Sequence, residues 1–340
     1  MKFVAGVLLI AYSYLMAAFW QVPYILIEPG GANNVMSLIS VEGRPTYQPE
    51  GQLLFLTVSL SPRITPLRAV SAGLDDSVEV VEEEQFTGGQ PREEIRRLNF
   101  KLMQISKETA ITVALEALGY DIEYRPAGAL ITYVEPGLPA AGALRTGDVI
   151  VAVDGRPVEV ADDAITLVRR RRPGSSVAIV AEREGVRIDE VITTRANDEG
   201  QAQIGIHVVN NIETRFPFDI DIDTGQVGGP SAGLAFALAV IDQLTEGELT
   251  GGNVVAVTGA IEPDGTVTPV GGVAQKAVAA RRAGARLMLV PADEKEVSEA
   301  QSLAGSMPVV GVANLEDALR ALARIGGNVE QALPGSGIAA

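Results

Sequence analysis

From Phe3 to Trp20 the chain runs for 18 residues without a charged side chain, preceded only by Met1 and Lys2. No other feature narrows its folding options as much. A run of this length crosses a bilayer as a helix, lies buried in a globular core, or serves as a cleaved secretion signal. The uncharged stretch continues to Ile27, interrupted by Gln21 and Pro23. Trp20 and Tyr24 suit a membrane interface, where amphipathic rings settle. Ala17-Ala18 is followed by bulky Phe19-Trp20, a poor cleavage site. The reading is therefore a transmembrane anchor over residues 1–27. Lys2 biases the N-terminus to the cytoplasm, which predicts a single-pass cell-membrane protein whose bulk faces outward.

Composition removes several chemistries. The 340 residues include no Cys and one His. Disulfides, thiol nucleophiles and Cys-ligated metal sites are excluded, and so is the paired-His zinc motif. No cofactor or metal is expected. With 43 acidic and 27 basic residues the formal charge is −16, which argues against nucleic acid as a partner, because phosphate backbones attract basic surfaces. A hydrolase built from this inventory uses Ser, Thr, Lys or carboxylates, with a Ser-His-Asp triad still open.

Along the chain, residues 28–50 read as a Gly-, Pro- and Asn-rich linker with short strands. Leu53–Leu60 is a β-rich run ended by Pro62. A helix is expected from Pro91 to Gly119, where Pro starts and Gly stops it. Strands and turns dominate residues 120–195, and helices alternate with strands over 196–327. Residues 328–340 read as a flexible tail.

Residues 128–155 spell strand, turn at Pro136-Gly137, short helix, turn at Gly147-Asp148, strand, and a tight turn at Asp154-Gly155. This run resembles bacterial PDZ domains, and the resemblance covers about residues 120–195. It implies that an extended peptide adds as a strand beside a helix near Asp162–Arg171. The loop near Arg125 to Leu130 lacks a Gly-Leu-Gly-Phe-like form; Gly128, Ala129 and Leu130 are the candidate peptide contacts.

Two further segments carry chemistry. Gly228-Gly-Pro-Ser-Ala-Gly233 leads into an apolar helix, so Ser231 lies at a helix N-terminus with free amides and the positive dipole end nearby. Backbone N–H groups of Gly228, Gly229 and Ala232 are candidate oxyanion donors. Gly271-Gly-Val-Ala-Gln-Lys276 enters a second helix, and Lys276 has Val273, Ala277, Val278 and Ala280 for company. Apolar surroundings disfavour the ammonium and lower its pKa, and a neutral amine can take a proton from Ser.

Together with the Thr258-Gly259 strand end and the helix-to-strand unit Ala279–Pro291, these segments resemble the Lon proteolytic domain. That resemblance implies an α/β fold of the α+β, ribosomal-protein-S5-domain-2-like type. It makes Ser231 the nucleophile, Lys276 the general base and Thr258 a hydroxyl beside the Lys. Gly228 stands where many Lon enzymes carry an acidic residue. Leu53–Leu60 and the helix Leu102–Gly119 resemble the first strand and helix of that domain, so the catalytic domain is expected to begin near Gly51 with the PDZ domain inserted into it. No Gly-x-x-x-x-Gly-Lys-Ser/Thr motif occurs, so no ATP is expected.

Anchor, PDZ and Lon-type domain in this order resemble the bacterial membrane-anchored, PDZ-containing Lon-like serine proteases. Expected partners are protein or peptide substrates, the membrane through the N-terminal helix, and a homo-oligomer, a hexameric ring by resemblance. A latent or non-enzymatic envelope PDZ scaffold is the alternative. His207, in a strand, is expected to be structural.

Overall fold

The computed structural model describes residues 20–333 apart from Glu184. In chain order, strands β1 (Tyr24–Asn34) and β2 (Gln52–Pro62) are followed by helix α1 (Pro66–Ala72), strand β3 (Glu79–Glu82) and the long helix α2 (Arg92–Ala117). Strands β4 (Glu123–Val134) and β5 (Val149–Val153), helix α3 (Ala161–Arg169), and strands β6 (Ser176–Arg183), β7 (Val186–Thr193) and β8 (Ile206–Arg215) come next. The chain finishes with α4 (Gly233–Leu244), β9 (Val254–Val257), α5 (Val273–Arg282), β10 (Leu287–Pro291), α6 (Glu294–Ala304), β11 (Val309–Val312) and α7 (Leu315–Ala323).

These elements form two compact units. One comprises residues 20–39, 45–89 and 231–333, and the other residues 40–44 and 90–230. The first is built on a six-stranded mixed sheet in the order β11-β10-β9-β2-β1-β3. Its centre is parallel: Val255 pairs with Leu53 on one side and Leu287 on the other. Val254–Val257 is apolar at every position because a central parallel strand is covered on both faces. Helix α4 is apolar around its whole circumference, and Gly233 through Gln243 are all buried, as such a helix requires. Leu56, Ala256, Val273, Ala277, Ala280, Met288 and Ala300 join in one core beneath α5 and α6.

The second unit is an antiparallel sheet in the order β8-β4-β5-β6-β7. Ile131, Ile150, Val177 and Ile179 alternate inward and pack against Ala164 and Val168 of α3. Asp148, 1% exposed, accepts a forked ion pair from Arg183 at 2.7–2.8 Å and so anchors the turn before β5.

Three expectations change. Among the described residues no helix is long and apolar enough to cross a membrane. The anchor over residues 1–27 is corrected accordingly: Tyr24–Ile27 belong to β1, whose backbone pairs with β2 and β3, while residues 1–19 lie outside the described residues. A single-pass placement in the cell membrane is therefore not supported. The tail does not begin at 328: Asn328 donates its amide to Glu248, and Val329 and Ala332 are buried. The sheet formed by residues 120–195 takes in one further strand, β8, from the residues beyond.

Candidate active site

Ser231 follows Pro230 directly and precedes Ala232, the N-cap of α4, whose φ of −101° and ψ of 0° turn the chain into the helix. Its carbonyl is held twice. The Gly259 amide donates to it at 2.9 Å and the Thr258 hydroxyl at 3.3 Å. Gly259 returns its own carbonyl to the Leu234 amide at 3.1 Å, closing a short ladder between the end of β9 and the start of α4. Gly259 sits at φ 153°, and a Cβ there would lie 2.7 Å from Val267 Cγ1. Only Gly fits this crossing.

Lys276 is the fourth residue of α5 and only 3% exposed. The helix begins at Gly272 in the left-handed region, φ 68°. Lys276 Nζ donates to Thr258 Oγ1 at 3.1 Å. Thr258, fully buried at the end of β9, thus links Lys276 to Ser231: the amine donates to the hydroxyl, and the hydroxyl donates to the Ser231 carbonyl. Burial lowers the Lys276 pKa from 10.5 to about 8, with the Glu296 carboxylate opposing the fall. An amine in that range is partly neutral near physiological pH, as a general base needs to be.

The three expected oxyanion donors are not equivalent. In the second unit the Gly229 amide is spent on the Asn99 carbonyl of α2 at 2.8 Å. Ser106, buried on the same helix, donates its hydroxyl to the Pro230 carbonyl at 3.0 Å. A Cβ on Gly228 would lie 3.1 Å from Asn99 Cβ, so this loop runs tightly along α2. Ala232, 2% exposed, belongs to the first unit. The roles of Asn99 and Ser106 carried no local sequence signal, since they depend on a packing contact more than 120 residues away.

Gly128, Ala129 and Leu130 are not placed to receive a peptide. They lie on β4, an interior strand: Ala129 and Leu130 pair with Asn210 and Val209 of β8 on one side and with Ile150 and Val149 of β5 on the other. No backbone edge is left there for an added strand. On that side the edge strand is β8, and the opposite edge is β7. Between the start of β8 and α3 lies a cavity of about 390 Å³ lined by Ile150, Ala164, Ile165, Val168, Ile204 and Ile206. The turn into it is Ile204-Gly205-Ile206, with Gly205 at φ 80° and no room for a Cβ beside Leu138. A Gly flanked by two Ile just before a strand was the signal that could have located it. His207 follows in β8, 3.2 Å from Glu135 and edge-on to Tyr133. Among the described residues no three His, Asp or Glu side chains gather as a metal site.

Residues 218–324 match the family described as Lon protease (S16) C-terminal proteolytic domain, and residues 110–193 match the PDZ domain family. Lon protease of Clostridioides difficile is 36% identical over 159 residues, 41% of this chain and 20% of the relative. A probable periplasmic serine endoprotease, DegP-like, of Pseudomonas fulva is 28% identical over 163 residues, 46% of this chain and 32% of the relative. The PDZ domain of an SdrC-like protein from Listeria monocytogenes is 25% identical over 24% of this chain and 88% of that one, with a TM-score of 0.24. The chain thus spans a fifth to a third of the length of these two curated relatives. Together the family matches support a PDZ-containing, Lon-like serine peptidase.

Proposed function

We propose that this chain, which carries a Lon-type proteolytic domain beside a PDZ domain, is an ATP-independent serine endopeptidase working through a Ser231–Lys276 dyad. The observation that carries the reading is the buried chain of contacts from Lys276 through Thr258 to Ser231.

Neutral Lys276 takes the Ser231 hydroxyl proton as Oγ attacks the substrate carbonyl carbon. The tetrahedral oxyanion collapses to an acyl-enzyme, and Lys276, now ammonium, gives its proton to the departing amine. A water molecule, deprotonated by Lys276, then hydrolyses the ester. The Ala232 amide at the head of α4 is the favoured oxyanion donor, aided by the helix dipole. Gly229 is less suited, because its N–H already has a partner.

The catalytic domain is split in sequence. Parallel pairing of β2 with β9 supports a proteolytic sheet that starts near Gly51 and takes in the residues after Ser231, with the PDZ domain inserted between. The fold type proposed for it is the ribosomal-protein-S5-domain-2-like α+β arrangement.

The PDZ domain would hold a substrate or partner segment as a strand on the β8 edge, its apolar terminal side chain in the cavity beside α3. Ile165→Asp should weaken binding of a peptide with an apolar C-terminus by tenfold or more, measured by fluorescence anisotropy; unchanged binding would remove the groove from this reading.

Turnover of an unfolded protein substrate by the full chain, without nucleotide, tests the activity. Ser231→Ala and Lys276→Ala should each abolish it, because the pair acts as a unit. Activity that needs ATP, or that survives either substitution, contradicts the proposal. Binding of peptides with no turnover at all would favour a scaffold.

A further inference from the structure

We propose that Glu296 is a positioning residue for the dyad: from α6 it clamps the loop that launches α5 and supplies a buried negative charge that acts on Lys276. The inference rests on the dyad reading of Lys276 and adds to it a partner on a neighbouring helix.

Two observations carry it. Glu296 Oε1 accepts the Val270 amide at 2.5 Å. Val270 stands two residues before Gly272, where α5 begins, so this bond fixes the entry of the helix that carries Lys276. The bond spans 26 residues and ties the loop before α5 to α6, two helices that share one core. The second observation is the other oxygen. Glu296 is 6% exposed, and its Oε2 is buried with no hydrogen-bond partner among the described residues. A carboxylate oxygen left without a donor in a core is costly. It is tolerated where a nearby positive charge compensates part of the loss, and Lys276 is the cation that acts on it.

The other charged groups around the pair do not compete for this role. On α6, Asp293 is occupied as the helix cap, accepting from Lys295 and Glu296 amides, and Glu299 is paired with Lys295. On β1, Glu28 is paired with Arg68. Strands β2 and β10 bring no charged residue to the packing. Arg281 and Arg282 lie in the last turn of α5, more than a helical turn beyond Lys276.

Electrostatics agrees with the geometry. Burial pushes the Glu296 carboxyl up; the Val270 amide and Lys276 pull it down, and Asp293 and Glu299 push it further up. In return Glu296 favours the protonated form of Lys276 against desolvation. Glu296 thus keeps the base from becoming too weak to accept a proton during catalysis.

The test uses the full chain with Glu296→Gln and Glu296→Ala. Gln keeps an acceptor for Val270 but removes the charge. Its acid limb of kcat/KM should move to lower pH by on the order of one pH unit, with kcat at high pH reduced less than tenfold. Ala also releases the Val270 amide and should lower kcat by about tenfold or more at every pH. A merely structural Glu would lower both variants' melting temperatures and leave the limb in place, which overturns the proposal. So does a limb that moves to higher pH.

A second readout does not need activity. The chain has five lysines, Lys2, Lys101, Lys107, Lys276 and Lys295, so carbon-13 lysine labelling with Lys276→Ala as the reference isolates one titrating signal. In the Ser231→Ala protein that signal should titrate at lower pH once Glu296→Gln is added. An unmoved titration refutes the role of Glu296. Lack of Ser231-dependent turnover in the unaltered protein, with the titration shifted, would refute the dyad and leave the coupling standing.

Discussion

Lys276 donates through Nζ to the Thr258 hydroxyl at 3.1 Å, and Thr258 donates onward to the Ser231 carbonyl at 3.3 Å. The direction of these bonds matters. A neutral Lys276 that gives one N–H to Thr258 keeps its lone pair unspent, and the lone pair is what a base uses. Thr258 orients the amine and pins the backbone of Ser231, the proposed nucleophile, with one hydroxyl. Thr258→Val keeps the volume and deletes both bonds. It should cost about 10- to 100-fold in kcat with a smaller effect on KM, while Thr258→Ser restores most of the rate. Steady-state kinetics with a peptide substrate checks this.

The depressed Lys276 pKa has consequences for both rate and stability. The base form becomes available as pH rises through about 8, so kcat/KM should climb to a plateau above that value. Folding shows the same titration with its own sign. Between about pH 8 and 10.5 the unfolded chain binds this proton and the folded chain does not, so stability rises with pH in that window. The gap corresponds to about 3 kcal/mol. Below pH 8 the full penalty of burying the ammonium remains. Lys276→Met should therefore abolish turnover while raising the melting temperature at pH 7, by calorimetry.

Asp242 gives the opposite slope at acidic pH. It is 1% exposed on α4, where Oδ1 accepts the Leu249 amide at 2.9 Å and Oδ2 is buried without a partner among the described residues. Burial raises its pKa from 3.8 to about 6, the Leu249 amide opposing and Glu248 adding to the rise. Its stabilising contribution is complete below pH 3.8 and is lost as pH rises through about 6, about 3 kcal/mol in all. Asp242→Asn should flatten that part of the stability profile in urea titrations from pH 4 to 7. A profile unchanged by the substitution would count against the burial of this charge.

Ser106, in the second unit, holds the residue that precedes Ser231, the proposed nucleophile. Its hydroxyl is bound to the Pro230 carbonyl at 3.0 Å, and the Gly229 amide is held by Asn99 about two turns earlier on α2. Ser106→Ala removes a buried donor and frees the Gly228–Pro230 loop. The expected result is a kcat loss of about 3- to 30-fold with KM little changed and the pH profile unmoved. Ser106→Thr, which retains the hydroxyl, should recover much of it. A variant that lost only thermal stability would show that the contact serves folding alone.

Legibility followed the range of the interaction. The proposed pair, Ser231 and Lys276, is marked in the sequence by immediate neighbours, a Gly-Pro turn before an apolar helix and a Lys set among Val and Ala. The segment 52–62 and the segment 254–257 each read as strands, though nothing local says that they pair with each other. The PDZ resemblance puts peptide contacts at Gly128–Leu130, in the loop near Arg125 to Leu130. Edge or interior is a property of the assembled sheet, and β8, more than 70 residues later, takes the edge. The same blindness hid Ser106, Asn99 and Glu296. Each acts through a hydrogen bond to a backbone group remote in sequence.

The apolar run that opens the chain shows both limits at once. Hydropathy counts charges and cannot see hydrogen-bond partners, so it read residues up to Ile27 as helix; the structure spends the backbone of Tyr24–Ile27 on two neighbouring strands. By itself the sequence determined what rests on composition and on contacts within a turn or two of the chain: no thiol chemistry, two domain types, a Ser at a helix head and a Lys in apolar company. Tertiary structure alone decided which amide is already bonded, which strands are interior and how deeply Lys276 is desolvated. Desolvation and hydrogen-bond satisfaction depend on every group that surrounds an atom, and those groups come together only when distant segments pack.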